Sequence, residues 1–439
     1  MAEPFVSICI PARNGARELP LTLTNLLRQS DHPVDRLEII VADHGSNDAT
    51  ADLIADFARR FQQIRRVFVE YTGPNRSRAR NAAMNAARGE ILVLIDHDVL
   101  PSTRMVSGHL ELHRHFSNAL VAGMTFGRGT TAEGWGVLPP GVQLERIGDC
   151  YDELSGCAEL ADVRLSSGAL NGADPQQDVT DTVAPQRLFY SCNLSIPRQV
   201  VERIGGFDEN FAGWGLEDDE FALRCRAQGR LVFSRRPWAL HLPHPTDALA
   251  NLAQWRQNYD YLFHKHATRE LEYYSHFGGE VEAGARRMEA MVRRLAQWAP
   301  EGLKPPNVSN RAGGRRLAHF PPSLQFAKAL GATDVLCPTM SLTAYPVKAD
   351  GMWQYPLFGT RTPFRESEFD EAVLIADRVM LLERQTLLCL VSEMARVARS
   401  LWLLVGPLAR KQSLAPMKAT LDSVLSQLGR SPKMEFVEL

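Results

Sequence analysis

The sequence predicts an α/β fold: a mostly parallel sheet flanked by helices, followed by a smaller carboxyl-terminal α/β module. Strand-length apolar runs alternate with helical patterns over residues 5–95, and such alternation favours parallel strands joined by right-handed crossovers. A strand-helix-strand pattern returns near the carboxyl terminus, beyond a Pro-rich break.

Composition sets the broad class of protein. The 439 residues, 45% hydrophobic and 23% charged, are typical of a globular chain with two or three domains. The 49 basic and 51 acidic side chains give a net charge of −2. The chain therefore has no overall positive potential that would attract nucleic acid. The seven cysteines form no CxxC pair, which argues against zinc and a disulfide scaffold. With no secretory signal and no stretch of roughly 18 apolar residues, we expect a cytoplasmic protein without an integral membrane segment.

The amino-terminal elements place three polar clusters together. Strands are predicted at Phe5–Ile10, Leu37–Ala42, Val67–Tyr71 and Ile91–Ile95, and helices at Leu19–Leu27, Ala49–Phe61 and Arg76–Ala87. Ligands of parallel sheets gather at the carboxyl ends of the strands. The ends of the first, second and fourth strands carry Pro11-Ala12-Arg13-Asn14, Asp43-His44-Gly45-Ser46 and Asp96-His97-Asp98. The sequence therefore predicts one site at this rim.

The middle of the chain is less regular. Residues Gly127–Ala184, rich in Gly, Pro and Asp, are predicted to form a long loop. Regular patterns return at Phe189–Ile196, Gln199–Ile204, Gly213–Arg226, Leu231–Ser234 and Ala239–Leu242, and a helical stretch follows from Ala248 to Trp298. The break at Lys304-Pro305-Pro306-Asn307 predicts three parts: a first domain at 1–250, a helical extension at 251–304 and an α/β module at 305–439.

Asp96 and Asp98 are candidate ligands of a divalent cation. Both follow an apolar strand, at the rim where they could hold the cation against a diphosphate. A nucleoside diphosphate leaves poorly until its developing charge is neutralised, which a metal achieves. A DxD triplet taken alone could also be a solvated turn.

A second acidic motif lies at Gly213–Phe221, where four consecutive acids follow a Gly-Trp-Gly turn. One or two acids suit a helix amino terminus, but four repel one another. One of these carboxylates could accept the proton of an attacking hydroxyl, and Trp214 could stack on a sugar ring. Downstream, His241 and His244 could complete the metal shell, because neutral imidazole binds the same metals as carboxylates.

These motifs, in this order, resemble family 2 glycosyltransferases with the GT-A fold. The matching segments are Val6–Asn14, Ile39–Asp48, Ala79-Arg80-Asn81 and Asp96-His97-Asp98. Gly213–Phe221 resembles the carboxyl-terminal motif of galactosyltransferases and chondroitin-polymerase type enzymes. The resemblance covers residues 4–250 and identifies 1–250 as the glycosyltransferase domain.

The resemblance implies a metal-dependent transfer of sugar from a UDP-sugar to an acceptor saccharide, peptide or small molecule, with Mn²⁺ or Mg²⁺. It implies these site residues: Pro11, Arg13, Asp43, Arg80, Asp96 and Trp214 for the donor, with Asp43 facing the base; Asp96, Asp98, His244 and His241 for the metal; Glu217 for the sugar; and Asp218 as catalytic base. His44 replaces the family's usual second acid, which affects base recognition. Inversion is expected, although retaining enzymes that act on polypeptides carry similar acidic motifs.

The last third is predicted as a supporting module. Ser367–Ile375, Leu387–Ala398 and Leu401–Val405 resemble the later strand-helix-strand part of S-adenosylmethionine-dependent methyltransferases. No Gly-rich cofactor loop precedes them, so we expect a degenerate or merely similar α/β module rather than an active methyltransferase. This module could bind the acceptor, support the fold or form a homo-oligomer.

Two alternative functions stay open at this point. A nucleotidyltransferase would share the sheet and the metal carboxylates, but it would carry a Gly-rich phosphate loop where Pro11-Ala12-Arg13-Asn14-Gly15 stands. A non-catalytic nucleotide-sugar-binding or scaffold protein would typically have lost the metal aspartates or the base.

Overall fold

The computed structural model describes residues 5–33, 36–128, 135–166, 170, 174–277, 281–297, 314–340, 344–406, 418–419, 421–422, 426 and 433–438. The chain divides into two compact units, Met1–Tyr259 and Asp260–Leu439. The predicted three-part division at 1–250, 251–304 and 305–439 stays a prediction, and its Pro-rich break lies outside the described residues.

The first unit is built on one mixed sheet. Its strands are β1 Val6–Ala12, β2 Leu37–Asp43, β3 Ile64–Phe68, β4 Ile91–Ile95, β5 Val99–Pro101, β6 Leu120–Phe126, β7 Gln176–Asp178, β8 Asn193–Pro197 and β9 Leu231–His241. Its helices are α1 Leu19–Leu26, α2 Thr50–Arg60, α3 Arg76–Ala86, α4 Met105–His115, α5 Tyr151–Ser155, α6 Arg198–Ile204 and α7 Glu217–Arg226, and α8 Ala248–His266 extends across the unit boundary.

Strand order determines which ends share a rim. The order is β3-β2-β1-β4-β8-β6-β9-β5, with β7 beside β9. β1, β2, β3 and β4 pair in parallel, and β8 lies antiparallel between β4 and β6. β6 therefore runs in the direction of β4, and the carboxyl ends of β1, β2, β4 and β6 share one rim. The predicted α/β fold of the GT-A type is confirmed.

The sheet is buried on both faces. Cys9 packs into the core on one face, while Ile8 and Ile10 pack into the core on the other, because neighbouring side chains of a strand point to opposite faces. In the sequence, strands that are covered on both faces appear as continuous apolar runs. This explains why β1, β2 and β4 could be recognised from sequence.

Three predicted elements differ in detail. β3 begins at Ile64 rather than Val67, because an edge strand tolerates the charged Arg65 and Arg66. The segment predicted as a long loop contains α5, β7 and short 3₁₀ turns. The two strands predicted at Leu231–Ser234 and Ala239–Leu242 form one strand, β9, with a register shift against β6 between Gly123 and Thr125.

The second unit has its own sheet, which confirms the predicted carboxyl-terminal α/β module. Its elements are α9 Arg269–Phe277, α10 Val281–Gln297, β10 Arg316–His319, α11 Leu324–Ala329, β11 Asp334–Leu336, β12 Val347–Ala349, β13 Met352–Tyr355, β14 Phe369–Ile375, α12 Ala376–Val379, α13 Arg384–Val397, β15 Ala398–Val405 and β16 Lys433–Glu438. The strand order is β12-β13-β11-β10-β14-β15-β16, parallel except for β12 against β13. Among the described helices of the chain, none has the length and apolar character that a bilayer span requires.

Two buried side chains pack against each other beyond the strand ends where a cofactor of the second sheet would lie. Doubly wound sheets bind ligands at the carboxyl ends of the strands where the strand order reverses, which here is between β10 and β14. Phe320 follows β10 and Arg378 lies just beyond β14, and both are at most 4% exposed. The Arg378 guanidinium lies 4.3 Å from the Phe320 ring centroid and donates to the Phe320 carbonyl.

We therefore predict that the second unit does not bind S-adenosylmethionine, because Phe320 and Arg378 occupy the crevice and no Gly-rich turn follows β10. Equilibrium dialysis of the whole chain against the labelled cofactor should show no saturable uptake. Saturable binding in the micromolar range would contradict the prediction.

Two alanine variants test the filled crevice itself. Phe320→Ala should destabilise the second unit by about 3–5 kcal/mol, as expected for loss of a buried phenylalanine. Trp353→Ala is the control, because Trp353 is 41% exposed. Equal thermal midpoints for Phe320→Ala and wild type would mean that the crevice is open.

Candidate active site

The first polar cluster lies where β1 and β2 end. Ala12 and Asp43 are register partners in these strands, so Arg13 and His44 leave the sheet side by side. Arg13 donates to the His44 carbonyl oxygen over 3.1 Å. Its guanidinium lies 3.2 Å from the centroid of the Tyr71 ring, which fixes it by a cation–π contact.

The Asp43 carboxylate is buried and ionised at the end of β2. It accepts hydrogen bonds from the Ser46 backbone N–H over 2.9 Å and from Arg66 Nε over 2.9 Å. Burial alone would raise the pKa of Asp43, but Ser46 and Arg66 outweigh it and hold the pKa below its usual value. An ionised acceptor is therefore held at the rim.

A buried arginine joins the two acidic motifs. Arg80, on α3, donates to Glu217 over 3.0 Å and to Asp96 over 3.2 Å, and its Nη1 lies 3.7 Å from Asp218 Oδ1. Burial would lower the pKa of Arg80, but the three carboxylates raise it. We call Arg80, Asp96, Glu217 and Asp218 the Arg80 cluster. It brings the end of β4 against the start of α7.

The turn before α7 holds the acids in place. Gly213, Gly215 and Leu216 have φ values of +71°, +95° and +72°, a region that costs a non-glycine residue such as Leu216 roughly 1–2 kcal/mol. The Asn258 side chain donates to the Gly215 carbonyl over 2.8 Å and to the Trp214 carbonyl over 3.3 Å. These bonds stabilise the turn and the direction in which α7 begins.

Two carboxyl groups of α7 titrate close to neutrality. Burial raises the pKa of Asp218 to about 6, and Glu217 adds to the shift while Arg80 opposes it. Burial and the neighbouring Asp218 raise the pKa of Asp219 to about 7. The Ser191 backbone N–H donates to Asp218 Oδ2 over 3.1 Å. Asp218 thus has the environment of an acid–base group.

Asp98, His241 and His244 form a possible metal site, named here the Asp98 group. Asp98 Oδ2 lies 3.9 Å from His241 Nε2 and 3.6 Å from His244 Nε2, and one ligand atom from each residue falls within 4.8 Å of the others. The residues meet because β5 runs antiparallel to β9 with Val99 opposite His241. Burial lowers the pKa of His241, which favours the neutral imidazole that metals bind.

The remaining predicted residues lie around these clusters. Asp96 is held by Arg80 and lies outside the Asp98 group. Pro11 lies half-buried near the end of β1, and Trp214 lies half-buried in the turn before α7. The contacts of Pro11, Asp96 and Trp214 with a donor stay predictions, as do the roles assigned to Asp43 and Arg80.

Sequence reasoning missed three residues that shape the site. Ser191 and Asn258 act on or through backbone groups distant in sequence, and no local pattern indicates such contacts. Arg128 was detectable, because the apolar run Leu120–Phe126 ends in Gly127-Arg128 and so repeats the strand-then-polar pattern of the other rim clusters.

Comparison with known proteins finds sugar transferase families in the segments that carry both acidic motifs. Residues 7–147 match the family described as glycosyl transferase family 2, and residues 178–244 match the N-terminal domain of galactosyltransferase. The first match contains Asp96 and Asp98, and the second contains Asp218, His241 and His244. Both motifs therefore fall within segments known from sugar transferases.

Named relatives extend the similarity. Validoxylamine A glucosyltransferase from Streptomyces hygroscopicus subsp. limoneus is 29% identical over 402 residues, covering 86% of this chain and 85% of the relative. The protein of that name from subsp. jinggangensis is 30% identical over 306 residues, covering 68% of this chain and 69% of the relative. Among solved structures, the mannosyltransferase PcManGT from Pyrobaculum calidifontis in complex with GDP-Man and Mn²⁺ has a TM-score of 0.42 at 19% identity, over 68% of this chain and 77% of that one.

The predicted resemblance is confirmed by the family matches and by a relative 30% identical over more than two thirds of both chains. The chain belongs to glycosyl transferase family 2 and is a glycosyltransferase.

Proposed function

We propose that this glycosyltransferase transfers a hexosyl group from a UDP-sugar to an acceptor hydroxyl, with inversion, using a divalent metal at the Asp98 group and Asp218 as general base. The observation that carries the proposal is the Arg80 bridge. It links Asp96, two residues before Asp98, to Asp218, so the metal group and the base would serve one cleft.

The ligand geometry supports the metal. The distances of 3.6 and 3.9 Å from Asp98 to the two histidines are shorter than twice a metal–ligand bond of about 2.1 Å, so one ion could reach Asp98 and either histidine. The Asp98 carboxylate is a ligand type that suits Mn²⁺ and Mg²⁺. Of the two ions we propose Mn²⁺, because Mg²⁺ prefers an all-oxygen shell and the two imidazoles supply nitrogen. When bound, the metal supplies charge neutralisation for the departing diphosphate.

Asp218 supplies the proton acceptor. Its carboxylate removes the proton from the acceptor hydroxyl while the oxygen's electron pair forms the new bond to the anomeric carbon. The bond between that carbon and the diphosphate oxygen breaks, and its electron pair leaves with the nucleoside diphosphate. Attack opposite the leaving group inverts the anomeric carbon. With a pKa of about 6, Asp218 is largely ionised at pH 7 and able to act.

Other residues have supporting roles in this proposal. Pro11, Arg13 and Asp43 bind the nucleoside, with the ionised Asp43 facing the base, and Trp214 and Glu217 contact sugar. The enzyme works in the cytoplasm, and the second unit binds the acceptor, supports the fold or forms a homo-oligomer. The match to validoxylamine A glucosyltransferase covers 86% of the chain and therefore reaches beyond residue 259 into the second unit. This supports a common role for the second unit in the two proteins.

Glucose is the first sugar to test, because both named relatives are glucosyltransferases. A panel of nucleotide-sugars is scored by thermal shift with and without Mn²⁺, since a ligand that binds the folded state stabilises it. UDP-glucose should give the largest metal-dependent shift. A larger shift with a GDP-sugar or another nucleotide would replace the proposed donor.

We predict that Asp98→Ala reduces UDP affinity in Mn²⁺ to the metal-free level, because Asp98 supplies the anionic ligand. Calorimetry with and without Mn²⁺ measures this. Asp149→Ala is the control, since Asp149 pairs with Arg146 in a salt bridge whose side chains are 57% and 58% exposed. Equal wild-type affinity with and without metal would remove the metal from the proposal.

We predict that Asp218→Asn slows transfer about a hundredfold to ten-thousandfold, the scale of general base catalysis, with nearly unchanged UDP affinity. Wild-type kcat/KM should fall as the pH drops below about 6, because protonated Asp218 cannot accept a proton. The residual kcat/KM of Asp218→Asn should not show this fall at low pH.

Glu217→Gln and Asp219→Asn are the matched comparisons for the base. If Asp218→Asn transfers at near wild-type rate while one of these does not, the base is that other residue. If all three transfer normally, the acids only stabilise the start of α7.

A further inference from the structure

We propose that Arg128 binds the diphosphate of the donor and stabilises its charge as it leaves. The inference rests on the proposed function, because it assumes a nucleoside diphosphate donor at this rim. It assigns a binding residue that lies outside the recognised motifs.

The backbone holds Arg128 beside the Asp98 group. Arg128 follows β6 by two residues, at the rim that also carries the ends of β2 and β4. Gly127 turns the chain with a φ of +72°, and a Cβ there would lie 2.4 Å from the His241 carbonyl oxygen. Only glycine permits this approach, and it brings Arg128 next to a proposed metal ligand.

The Arg128 guanidinium is near enough to Asp218, the proposed base, for that carboxylate to raise the pKa of Arg128. It stacks 4.3 Å from the centroid of the Tyr190 ring. The next residue, Ser191, donates its backbone N–H to Asp218 over 3.1 Å. Arg128 is therefore held between the Asp98 group and Asp218, where a departing diphosphate would lie.

Buried bonds make this arrangement rigid. Asp162 and Arg164 form an ion pair with side chains 0% and 1% exposed. Asp162 accepts from the Thr125 N–H over 2.8 Å, and Arg164 donates to the Leu188 carbonyl over 2.9 Å. The pair thus ties the end of β6 to the segment that leads into Tyr190, so the stacking platform of Arg128 is preorganised.

Unlike Arg80, Arg128 has guanidinium N–H groups that are available to donate hydrogen bonds to a ligand. Arg80 is engaged by the carboxylates of its cluster, whereas within the described residues Arg128 forms neither a hydrogen bond nor an ion pair and makes only the stacking contact. Burial alone would lower the pKa of Arg128, but nearby ionisable groups, Cys192 and Tyr190 first and then Asp218 and Asp96, hold it above its usual value. A half-buried guanidinium with free N–H groups fits an ionised phosphate, which it can bind through two parallel bonds.

The charge balance of the rim favours this assignment. Asp96, Asp98, Glu217 and Asp218 carry negative charge beside Arg80, and a diphosphate adds more. The metal ion, Arg80 and Arg13 still leave these carboxylates and the diphosphate with net negative charge, and the Arg128 guanidinium offsets part of the excess. The contribution grows as the bond to the sugar breaks, because the diphosphate then gains charge.

The test compares wild type with Arg128→Ala, Arg128→Lys and Arg146→Ala, all in the full chain with Mn²⁺. Kd values are measured for UDP and for uridine, then kcat and the donor and acceptor KM values. Arg128→Ala should weaken UDP binding about 10- to 100-fold, as expected for a lost charge-assisted contact, and lower kcat while uridine affinity stays unchanged. Arg128→Lys should retain part of the UDP affinity, because lysine keeps the positive charge but lacks the planar guanidinium that binds phosphate through two parallel hydrogen bonds. Arg146, 57% exposed, serves as the neutral control.

Distinct outcomes overturn distinct claims. Wild-type UDP affinity and transfer rate in Arg128→Ala would overturn the proposal, as would equal losses for uridine and UDP, which indicate a structural role. A change confined to the acceptor KM would mean that Arg128 binds the acceptor. If wild type binds no nucleoside diphosphate in the panel, the proposed function fails first and this assignment fails with it.

Discussion

The buried contacts of Arg80 with Asp96, Glu217 and Asp218 are the constraint on which the site depends. Three carboxylates held at a few ångströms from one another would repel strongly in a poorly solvated environment. The guanidinium makes this arrangement tolerable and fixes its geometry, since its N–H groups point in set directions. Because Arg80 lies on α3, the helix between β3 and β4, the sheet itself sets the distance between the two acidic motifs.

The same crowding shifts the pKa of Asp218. A carboxyl group in water is a weak base, and burial beside Glu217 raises the pKa of Asp218 to about 6 against the opposing charge of Arg80. Asp219 is shifted further, to about 7. Since the folded state binds these protons more tightly than the unfolded chain, the groups cost stability as pH rises through these values. If Asp218 is the base, as proposed, the start of α7 gives up stability for reactivity.

The two units show how similar sheets take different roles. Both place parallel strands around a point where the strand order reverses, and in the first unit the rim there carries charged groups with donors and acceptors still to offer. In the second unit Phe320 and Arg378 close the corresponding crevice. The same sheet architecture thus presents different groups at its strand ends, and these groups rather than the fold decide what each unit could bind.

Local patterns in the sequence determined the sheet, its rim and both acidic motifs, because strand and helix periodicity and the residues that follow a strand are written along the chain. Only the tertiary structure decided which distant groups meet. Arg80 reaches Glu217 across 137 positions, and Asp98 meets His241 because β5 pairs with β9. Arg128 gains its place from the order of β8, β6 and β9 and from the ring of Tyr190. Such pairings depend on strand order and long-range packing, which no short stretch of sequence encodes.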